Sequence, residues 1–289
     1  AMALIQCKLF SKELFRSVNV NVVLPLPDSN NCFFESATQF PHDGKKYQVL
    51  WLLHGFSADE SDWQRFSRIE SYAMEKNLAV VMPDGYNSMY ADNPWGGNYF
   101  SYLTKELPAM LQSFLPLSPK REHNFIAGLS MGGGGAFKAA LLNPRQYAAA
   151  ASLSGGLMPI EDIHTPGLVE TYSYIWTKSV YGMNNEFFNP AKHDIRTILK
   201  TRVEEGVELP KLYQCCGTED FIYESNITFR DYARSLGVEL TYEEGPGVHN
   251  FDFWDPYIRR ILDWLPLTGT LPLYYLSRRL ERSGAAAAG

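Results

Sequence analysis

The sequence lacks long hydrophobic runs and contains few cysteines. No stretch approaches the roughly 18 consecutive apolar residues of a membrane-spanning helix, so we expect no integral membrane segment. The four cysteines form no C-x-x-C pair of the kind that zinc sites use, and an adjacent pair is a poor basis for a disulfide framework. We therefore expect reduced thiols and no metal site. The cysteines are Cys7, Cys32, Cys215 and Cys216.

An excess of positive charge is also missing. The 289 residues include 26 Lys and Arg against 32 Asp and Glu, a net charge of −6. Without a basic run to neutralise phosphates, neither a nucleic acid nor an anionic membrane surface is expected as a partner. The opening AMALIQCKLF has no secretory-signal pattern, which favours the cytoplasm, with secretion after removal of a signal as the alternative. The ending SGAAAAG is typical of an engineered expression tail, so residues 268–289 are interpreted as partly non-native.

Apolar runs alternate with helical patterns along the chain. Near-continuous apolar runs, which suit strands covered on both faces, occupy 47–53, 78–83, 124–128, 149–156 and 211–217. The period-two pattern of 18–24 predicts an edge strand, and 238–244 predicts another strand near an edge. Apolar residues at three- and four-residue spacing predict helices over 102–115, 133–143, 227–237 and 255–265. This alternation predicts an α/β fold: a doubly wound, mostly parallel sheet with helices on both faces.

One interval breaks the alternation. More than fifty residues separate two core strands between Leu157 and Leu209, too many for a bare crossover. We interpret 157–209 as a small cap-like insertion within a single domain spanning 1–267.

The segment GLSMG at 128–132 matches G-x-S-x-G and lies between a buried strand and a helical pattern, which is the context this motif requires. A serine at so sharp a turn needs small neighbours two positions away, and Gly128 and Gly132 provide them. The glycines that follow Gly132 would let the helix pack close to its neighbours. A phosphate-binding loop is excluded because no Lys-Ser or Lys-Thr pair follows, and the dinucleotide pattern G-x-G-x-x-G fails at Phe137. The motif predicts Ser130 as a nucleophile.

A serine hydroxyl needs a base to take its proton. In proteins that mount a serine this way, the acid and then the histidine follow it along the chain. His249 lies in a glycine-rich loop between the last strand and the last helix, ahead of an aromatic cluster, and is the predicted base. Asp220, after the strand 211–217, is the predicted acid, with Glu219 as the fallback. The remaining histidines are interpreted as surface, cap or scaffold residues, and Asp252 and Asp255 as caps of the last helix.

Acyl transfer also needs donors for the developing oxyanion. The backbone N–H of Met131, directly after the nucleophile, is one candidate. The second is the N–H of Phe56 in the His-Gly turn after the strand 47–53, with Gly55 as the less favoured donor. His54 in this turn is interpreted as a scaffold residue that holds the loop.

With these residues in place, the chain resembles the esterase D-like family of α/β-hydrolases, and most closely its tributyrin esterase group. Feruloyl and acetyl-xylan esterases, S-formylglutathione hydrolases and mycolyltransferases are also members. The resemblance covers roughly residues 4 to 267 and rests on LLHGFSADESDW, VVMPDGYNSMY, YLTKELP, FIAGLSMGG, CCGTEDFIYE and GVHNFDFW, in that order. It implies a Ser130–Asp220–His249 triad without a cofactor, acting on short acyl esters, often in a homodimer or homotetramer. S-formylglutathione hydrolases typically carry a histidine where this chain has Leu129.

The substrate is expected to be a small-molecule ester. Aromatic residues near the predicted site are interpreted as substrate contacts, and they would suit a short acyl chain or a phenolic acid. They are Trp95, Tyr99, Tyr223 and Trp176. The predicted chemistry is a two-step ester hydrolysis through an acyl-enzyme. Two alternatives stay open: acyl transfer to a sugar or alcohol with the same triad, and a non-enzymatic binding protein that has kept the fold.

Overall fold

The computed structural model describes residues 2–26, 44, 46–157 and 177–268 of the chain. Within these ranges the strands are β1 (Met2–Ser11), β2 (Arg16–Pro25), β3 (Gln48–Leu53), β4 (Leu78–Pro83), β5 (Asp92–Asn93), β6 (Gly97–Asn98), β7 (Asn124–Leu129), β8 (Ala149–Leu153), β9 (Lys211–Gly217) and β10 (Leu240–Gly245). Eight of them form one sheet in the order β1-β2-β4-β3-β7-β8-β9-β10, and β5 pairs with β6 in a separate ribbon.

The helices of the same ranges lie mostly between the parallel strands. They are α1 (Asp62–Phe66), α2 (Ile69–Glu75), α3 (Tyr99–Ser101 continued by a π-helical turn, Tyr102–Glu106, and by Leu107–Phe114), α4 (Met131–Leu142), α5 (Pro190–His193), α6 (Ile195–Glu204), α7 (Tyr223–Ser235) and α8 (Phe251–Trp264), with a short 3₁₀ turn at Arg121–His123. No helix in these described ranges is long and apolar enough to cross a membrane.

The order of the strands confirms the predicted doubly wound α/β architecture. In the large sheet, the six neighbouring strands β4-β3-β7-β8-β9-β10 are all parallel. Strands β1 and β2 extend the sheet beyond β4 in antiparallel pairs. The chain passes from β3 outward to β4 and then returns to place β7 on the other side of β3. At such a reversal the loops leaving the two strands diverge and leave a crevice at their carboxyl ends, where α/β proteins bind ligands. Ser130 directly follows β7 at this crevice.

Strand alternation divides the core into two layers. Val49, Trp51 and Leu53 of β3 pack in one cluster with residues of α4, α6 and α7. Leu50 and Leu52, which point to the opposite face, pack with residues of α1, α2 and α8. Since every residue of β3, β4, β7 and β8 is buried, the near-continuous apolar runs are explained by helices on both faces.

The predicted position of one strand is wrong at the N-terminal edge. The run 18–24 was expected at the edge, but β2 lies between β1 and β4. The unpredicted strand β1 pairs with β2 along its whole length, from Met2 opposite Pro25 to Ser11 opposite Arg16. The strand β1 therefore takes the edge position. Within β2 only Arg16, Ser17 and Asn19 are exposed, and all residues from Val20 to Pro25 are buried.

The starts of the last two long helices also differ from prediction. Helix α8 begins at Phe251 under a cap from Asn250, whose side chain accepts the Asp252 N–H, so Pro256 lies inside the helix. Asp255 does not cap it: its carboxylate accepts the backbone N–H of Arg68 and the hydroxyl of Tyr72, which ties α8 to α2. Helix α7 begins at Tyr223, four residues before the predicted start.

The described part of the insertion packs against the body of the protein. Asp194 caps α6 by accepting the N–H groups of Arg196 and Thr197. Ile198 and Leu199 of this helix are buried in the same cluster as residues of α4 and α7. Residues 158–176 lie outside the described residues. Cys7, Cys215 and Cys216 are free thiols, and Cys32 also lies outside the described residues.

Candidate active site

Ser130 sits on a strained turn between β7 and α4. Its backbone has φ 53° and ψ −119°, a conformation that non-glycine residues rarely adopt. A Cβ on Gly128 would lie 2.4 Å from the carbonyl carbon and oxygen of Gly132, and a Cβ on Gly132 would lie 2.6 Å from the carbonyl oxygens of Leu53 and His54. The predicted steric need for both glycines is confirmed. Strain at one serine indicates that its presentation is part of the function.

The following glycines let α4 approach its neighbours closely. A Cβ on Gly133 would lie 2.7 Å from the Ser152 Oγ of β8, and one on Gly134 would lie 2.5 Å from the carbonyl oxygen of Gly156. At Gly135 the neighbour is the ring of Tyr90, at 2.6 Å. The predicted close packing is confirmed, and it involves the loop after β8 and a tyrosine ring as well as a strand.

The structure brings Ser130, His249 and Asp220 into one chain of hydrogen bonds. The Nε2 atom of His249 lies 2.9 Å from the Oγ of Ser130. The Nδ1 atom lies 3.0 and 2.9 Å from the two carboxylate oxygens of Asp220. The Asp220 side chain is fully buried and that of His249 is 18% exposed. This arrangement suits proton transfer from the serine hydroxyl to the imidazole while a carboxylate orients the ring.

Neighbouring strands explain why the acid and the histidine meet. Asp220 follows β9 and His249 follows β10, and these two strands are parallel neighbours whose carboxyl ends share one edge. Glu219, the fallback acid, joins the two loops instead: its N–H donates to the carbonyl of Gly247, and its carboxylate accepts the Gly247 N–H. Asp220 also accepts the Ile222 N–H at the start of α7, so the same carboxylate has a structural role there.

Two aromatic rings hold the imidazole of His249. The ring of Phe221 lies 4.6 Å from it between centroids, and the ring of Trp254 meets it edge-on at 4.9 Å. The indole N–H of Trp254 donates to the Oγ of Ser154, after β8, at 3.1 Å. The aromatic cluster that follows His249 in the sequence anticipated Trp254. No signal in the sequence pointed to Phe221, which is 54% exposed, or to Ser154.

The predicted oxyanion donors belong to the first residue of α4 and to the loop after β3, both beside Ser130. Met131 is the first residue of α4, so its N–H has no acceptor within the helix. A Cβ built on Gly55 would lie 3.4 Å from the Cβ of Ser130, which places the turn containing Phe56 next to the nucleophile. The positive end of the α4 dipole points to the same place and favours a developing negative charge.

His54 acts as a scaffold residue, as predicted. It is only 1% exposed. Its Nε2 accepts the backbone N–H of Gly85 at 2.8 Å, which leaves Nδ1 to donate to the carbonyl of Gly55 at 2.7 Å. Burial lowers the pKa of His54, against smaller opposing effects from its hydrogen bond to Gly55 and from the charge of Asp84. A neutral imidazole therefore ties the loop after β3 to the loop after β4.

The four predicted substrate contacts fall in different places. Trp95 is 81% exposed and lines a cleft of about 440 Å³ together with Phe187. Tyr99 is 3% exposed and packs in the core, so it has no open face for a ligand. Tyr223 begins α7 and donates its hydroxyl to Glu244, and Trp176 lies outside the described residues. Within the ranges that the structure describes, no group of three or more His, Cys, Asp or Glu side chains could hold a metal ion.

Comparisons with known proteins find esterases and serine hydrolases. The Esterase family model matches residues 11–265. An acetyl esterase of Caldicellulosiruptor saccharolyticus is 31% identical over 271 residues, which cover 91% of this chain and 98% of that protein. The fluorophosphonate-binding serine hydrolase FphF of Staphylococcus aureus is 33% identical with a TM-score of 0.77, over 92% of this chain and 99% of that one. The S-formylglutathione hydrolase FrmB of the same organism is 34% identical with a TM-score of 0.75, over the same shares.

Proposed function

The chain belongs to the esterase family and is a serine hydrolase, and on that premise we propose that it hydrolyses short acyl esters through an acyl-enzyme on Ser130. The observation that carries this proposal is the unbroken series of contacts from Ser130 through His249 to a fully buried Asp220. Ser130, where the series begins, is held in a strained turn at the switch point of the sheet.

In the first half of the reaction, His249 Nε2 takes the proton of the Ser130 hydroxyl as Oγ attacks the ester carbonyl. The carbonyl π bond opens, and its oxygen becomes an oxyanion that the N–H groups of Met131 and Phe56 stabilise. The tetrahedral intermediate then collapses, the bond to the alcohol oxygen breaks, and His249 gives its proton to the departing alcohol. The product at this stage is an acyl ester of Ser130.

In the second half, His249 takes a proton from water as the water oxygen attacks the acyl carbonyl. The new intermediate collapses, the bond to Ser130 Oγ breaks, and His249 returns the proton to the serine. Throughout, Asp220 accepts the Nδ1–H of His249, which fixes the tautomer in which Nε2 is the base. The carboxylate also stabilises the imidazolium that forms transiently, so it need not gain or lose a proton.

The preference for short acyl groups is supported by a relative that is named for its substrate. The 31% identical protein is called an acetyl esterase and aligns over almost its entire length. A phenolic acyl group such as ferulate remains within the proposal, because exposed Phe221 offers an aromatic surface beside His249.

A second candidate, hydrolysis of S-formylglutathione, is favoured by the 34% identity to FrmB. A thioester would be attacked by the same serine and would release a thiol in place of an alcohol. Against this candidate stands Leu129, which is buried beside Gly55 where such hydrolases typically carry a histidine.

A substrate series tests the proposal. p-Nitrophenyl esters from acetate to dodecanoate, methyl ferulate, acetylated xylan and S-formylglutathione would be compared by kcat/KM, with Ser130→Ala as the control. We expect acetate to butyrate to be hydrolysed best and Ser130→Ala to lose activity on every substrate. Hydrolysis of S-formylglutathione at least tenfold better than any ester would favour the second candidate. Wild-type rates in Ser130→Ala would rule out both.

A further inference from the structure

A second cavity lies along the flank of α4, away from the candidate active site. Its volume is about 530 Å³, and neither Ser130, Asp220 nor His249 lines it. Lys138 of α4 does line it, eight residues after Ser130, which is ~12 Å along the helix axis at the helical rise per residue. The mechanism proposed above gives this cavity no role.

The ammonium group of Lys138 is buried in this cavity without a counter-ion. The residue is 4% exposed, and its Nζ donates one hydrogen bond, of 2.7 Å, to the carbonyl of Met89. The ring of Phe100 lies 6.0 Å from Nζ. Among the described residues, no carboxylate lies within ion-pairing distance of Nζ. The acid of the cavity wall, Asp92, uses its two oxygens to accept the N–H and the hydroxyl of Ser101.

An ammonium buried against one neutral carbonyl is unfavourable, because a charge removed from water needs a partner of opposite charge. A lysine carries three donors, and two of those on Lys138 remain available to a ligand. Burial lowers the pKa of Lys138 to about 7, against an opposing effect from Asp92. An anion bound at Nζ would restore the charged form.

The other charges of the cavity wall have the sign that an anion requires. Lys105 and Lys192 are exposed at its rim, so three lysines face a single aspartate in a chain whose net charge is −6. His193 also lines the cavity, and burial together with the nearby charge of Lys138 lowers its pKa to about 4, so it is neutral near pH 7. Phe100 and Phe187 provide apolar walls.

We propose that this cavity is a second ligand site, for a small organic carboxylate with an aromatic or apolar body. The carboxylate accepts two N–H groups of Lys138 and is attracted by Lys105 and Lys192. The body of the ligand lies between the rings of Phe100 and Phe187. The proposal gives this ligand no part in the ester chemistry at Ser130.

Benzoate is the probe, and isothermal titration calorimetry at pH 6.5 is the measurement. We expect one benzoate to bind per chain. The Kd of benzamide, the neutral isostere, should be at least ten times higher than that of benzoate. Lys138→Met is expected to weaken benzoate binding at least tenfold. Equal affinity for benzoate and benzamide, or unchanged binding in a folded Lys138→Met protein, would overturn the proposal.

Variants of the exposed lysines test the same site if Lys138→Met does not fold. The exposed pair Lys105→Gln and Lys192→Gln is expected to weaken benzoate binding about threefold to tenfold without altering Tm. The matched control is Lys211→Gln, which removes an exposed lysine at the start of β9 and should leave Kd unchanged. Equal Kd values for the double variant and the control would contradict the assignment of the site.

Binding should also involve a proton. Above the pKa of free Lys138, each bound carboxylate draws one proton onto the amine, since Asp92 is engaged by Ser101 and His193 stays neutral. Titrations in buffers of different ionisation enthalpy are expected to give uptake near one proton at pH 8.5 and near zero at pH 5.5. Proton uptake at pH 8.5 that is unchanged in Lys138→Met would show that the proton does not go to Lys138.

Discussion

Two histidines lie on loops at the same edge of the sheet, and their surroundings differ. His54 follows β3 and His249 follows β10. Both imidazoles form hydrogen bonds through both ring nitrogens. The partners of His54 are the backbone groups of Gly55 and Gly85 in a site that is 1% exposed. Those of His249 are a carboxylate and a serine hydroxyl, and its side chain is 18% exposed.

The comparison shows what distinguishes a catalytic base, His249, from a structural histidine, His54. The Gly85 N–H occupies the lone pair of His54 Nε2, and burial lowers the pKa of His54, so this ring neither accepts a further proton nor meets a substrate. His249 has Asp220 behind it, which stabilises the charged ring, and a hydroxyl in front of it that has a proton to give. The two residues are of the same type, and their roles differ because their hydrogen-bond partners differ.

The largest effect is expected from His249→Ala, which removes the proposed base. We expect kcat/KM on p-nitrophenyl acetate to fall roughly 10⁴- to 10⁶-fold, as for triad members in general, with little change in Tm. Ser130→Ala should lose a similar amount, and combining the two should add little, because the residues act as one unit. Full additivity of the two losses would contradict a shared mechanism.

The next effect tests the carboxylate behind His249. Asp220→Asn keeps the shape, but its amide can donate to Nδ1 of His249. That bond favours the tautomer with the proton on Nε2, which cannot take the serine proton, so kcat is expected to fall about 10⁴-fold. The matched control is Glu219→Gln, next to it in the sequence, whose side chain holds Gly247 rather than the imidazole. We expect the control to stay within about tenfold of wild type. A larger loss of kcat in Glu219→Gln than in Asp220→Asn would show that Glu219, not Asp220, is the acid of the triad.

Removing the other histidine should damage stability more than chemistry. His54→Phe leaves the Gly85 N–H and the Gly55 carbonyl without their partner, at about 1–3 kcal/mol for each buried group. We expect the free energy of unfolding in urea to fall accordingly, and kcat/KM of the folded protein to fall less than about 10²-fold through displacement of the Phe56 turn. A loss comparable to that of His249→Ala would remove the distinction between the two rings.

His54 also predicts a pH dependence of stability. Its pKa is lowered in the folded state from an unfolded value near 6.5. Below pH 6.5 the unfolded chain therefore binds more protons than the folded one, and stability falls as the pH falls. Between pH 7 and pH 5 we expect Tm to decrease in wild type and to decrease less steeply in His54→Phe. An identical slope in both proteins would show that His54 is not buried in its neutral form.

The smallest effect is expected at the ring that packs against His249. Trp254→Phe keeps an aromatic edge but loses the indole N–H that donates to Ser154. We expect kcat to fall about threefold to tenfold, equivalent to about 1 kcal/mol for one hydrogen bond. An unchanged kcat in Trp254→Phe would show that the indole N–H does not contribute to catalysis.

Much of the architecture and the site followed from the sequence because local patterns determine them. The parallel strands are continuous apolar runs, since helices cover both of their faces. The serine turn is identified by two glycines whose side chains would collide with backbone atoms. The order of Ser130, Asp220 and His249 along the chain, taken with the strands they follow, was enough to place all three at one edge.

Other features depend on contacts between distant segments, which no local pattern records. Strand β1 is an edge strand only because β2 pairs with it, so the N-terminus gave no sign of its place. Tyr99 was predicted to contact the substrate, but tertiary packing buries it. The pairing of Trp254 with Ser154 joins residues one hundred positions apart. Helix α8 keeps Pro256 inside because the cap is set earlier, at Asn250.

The most direct test of the central claim is the site and rate of labelling by a fluorophosphonate probe. Peptide mapping after incubation should place the adduct on Ser130 in wild type and in His54→Phe, at rates within about 10²-fold of each other. Labelling of His249→Ala should be slower by several further orders of magnitude. An adduct on another residue, or labelling of His249→Ala at the wild-type rate, would contradict the account.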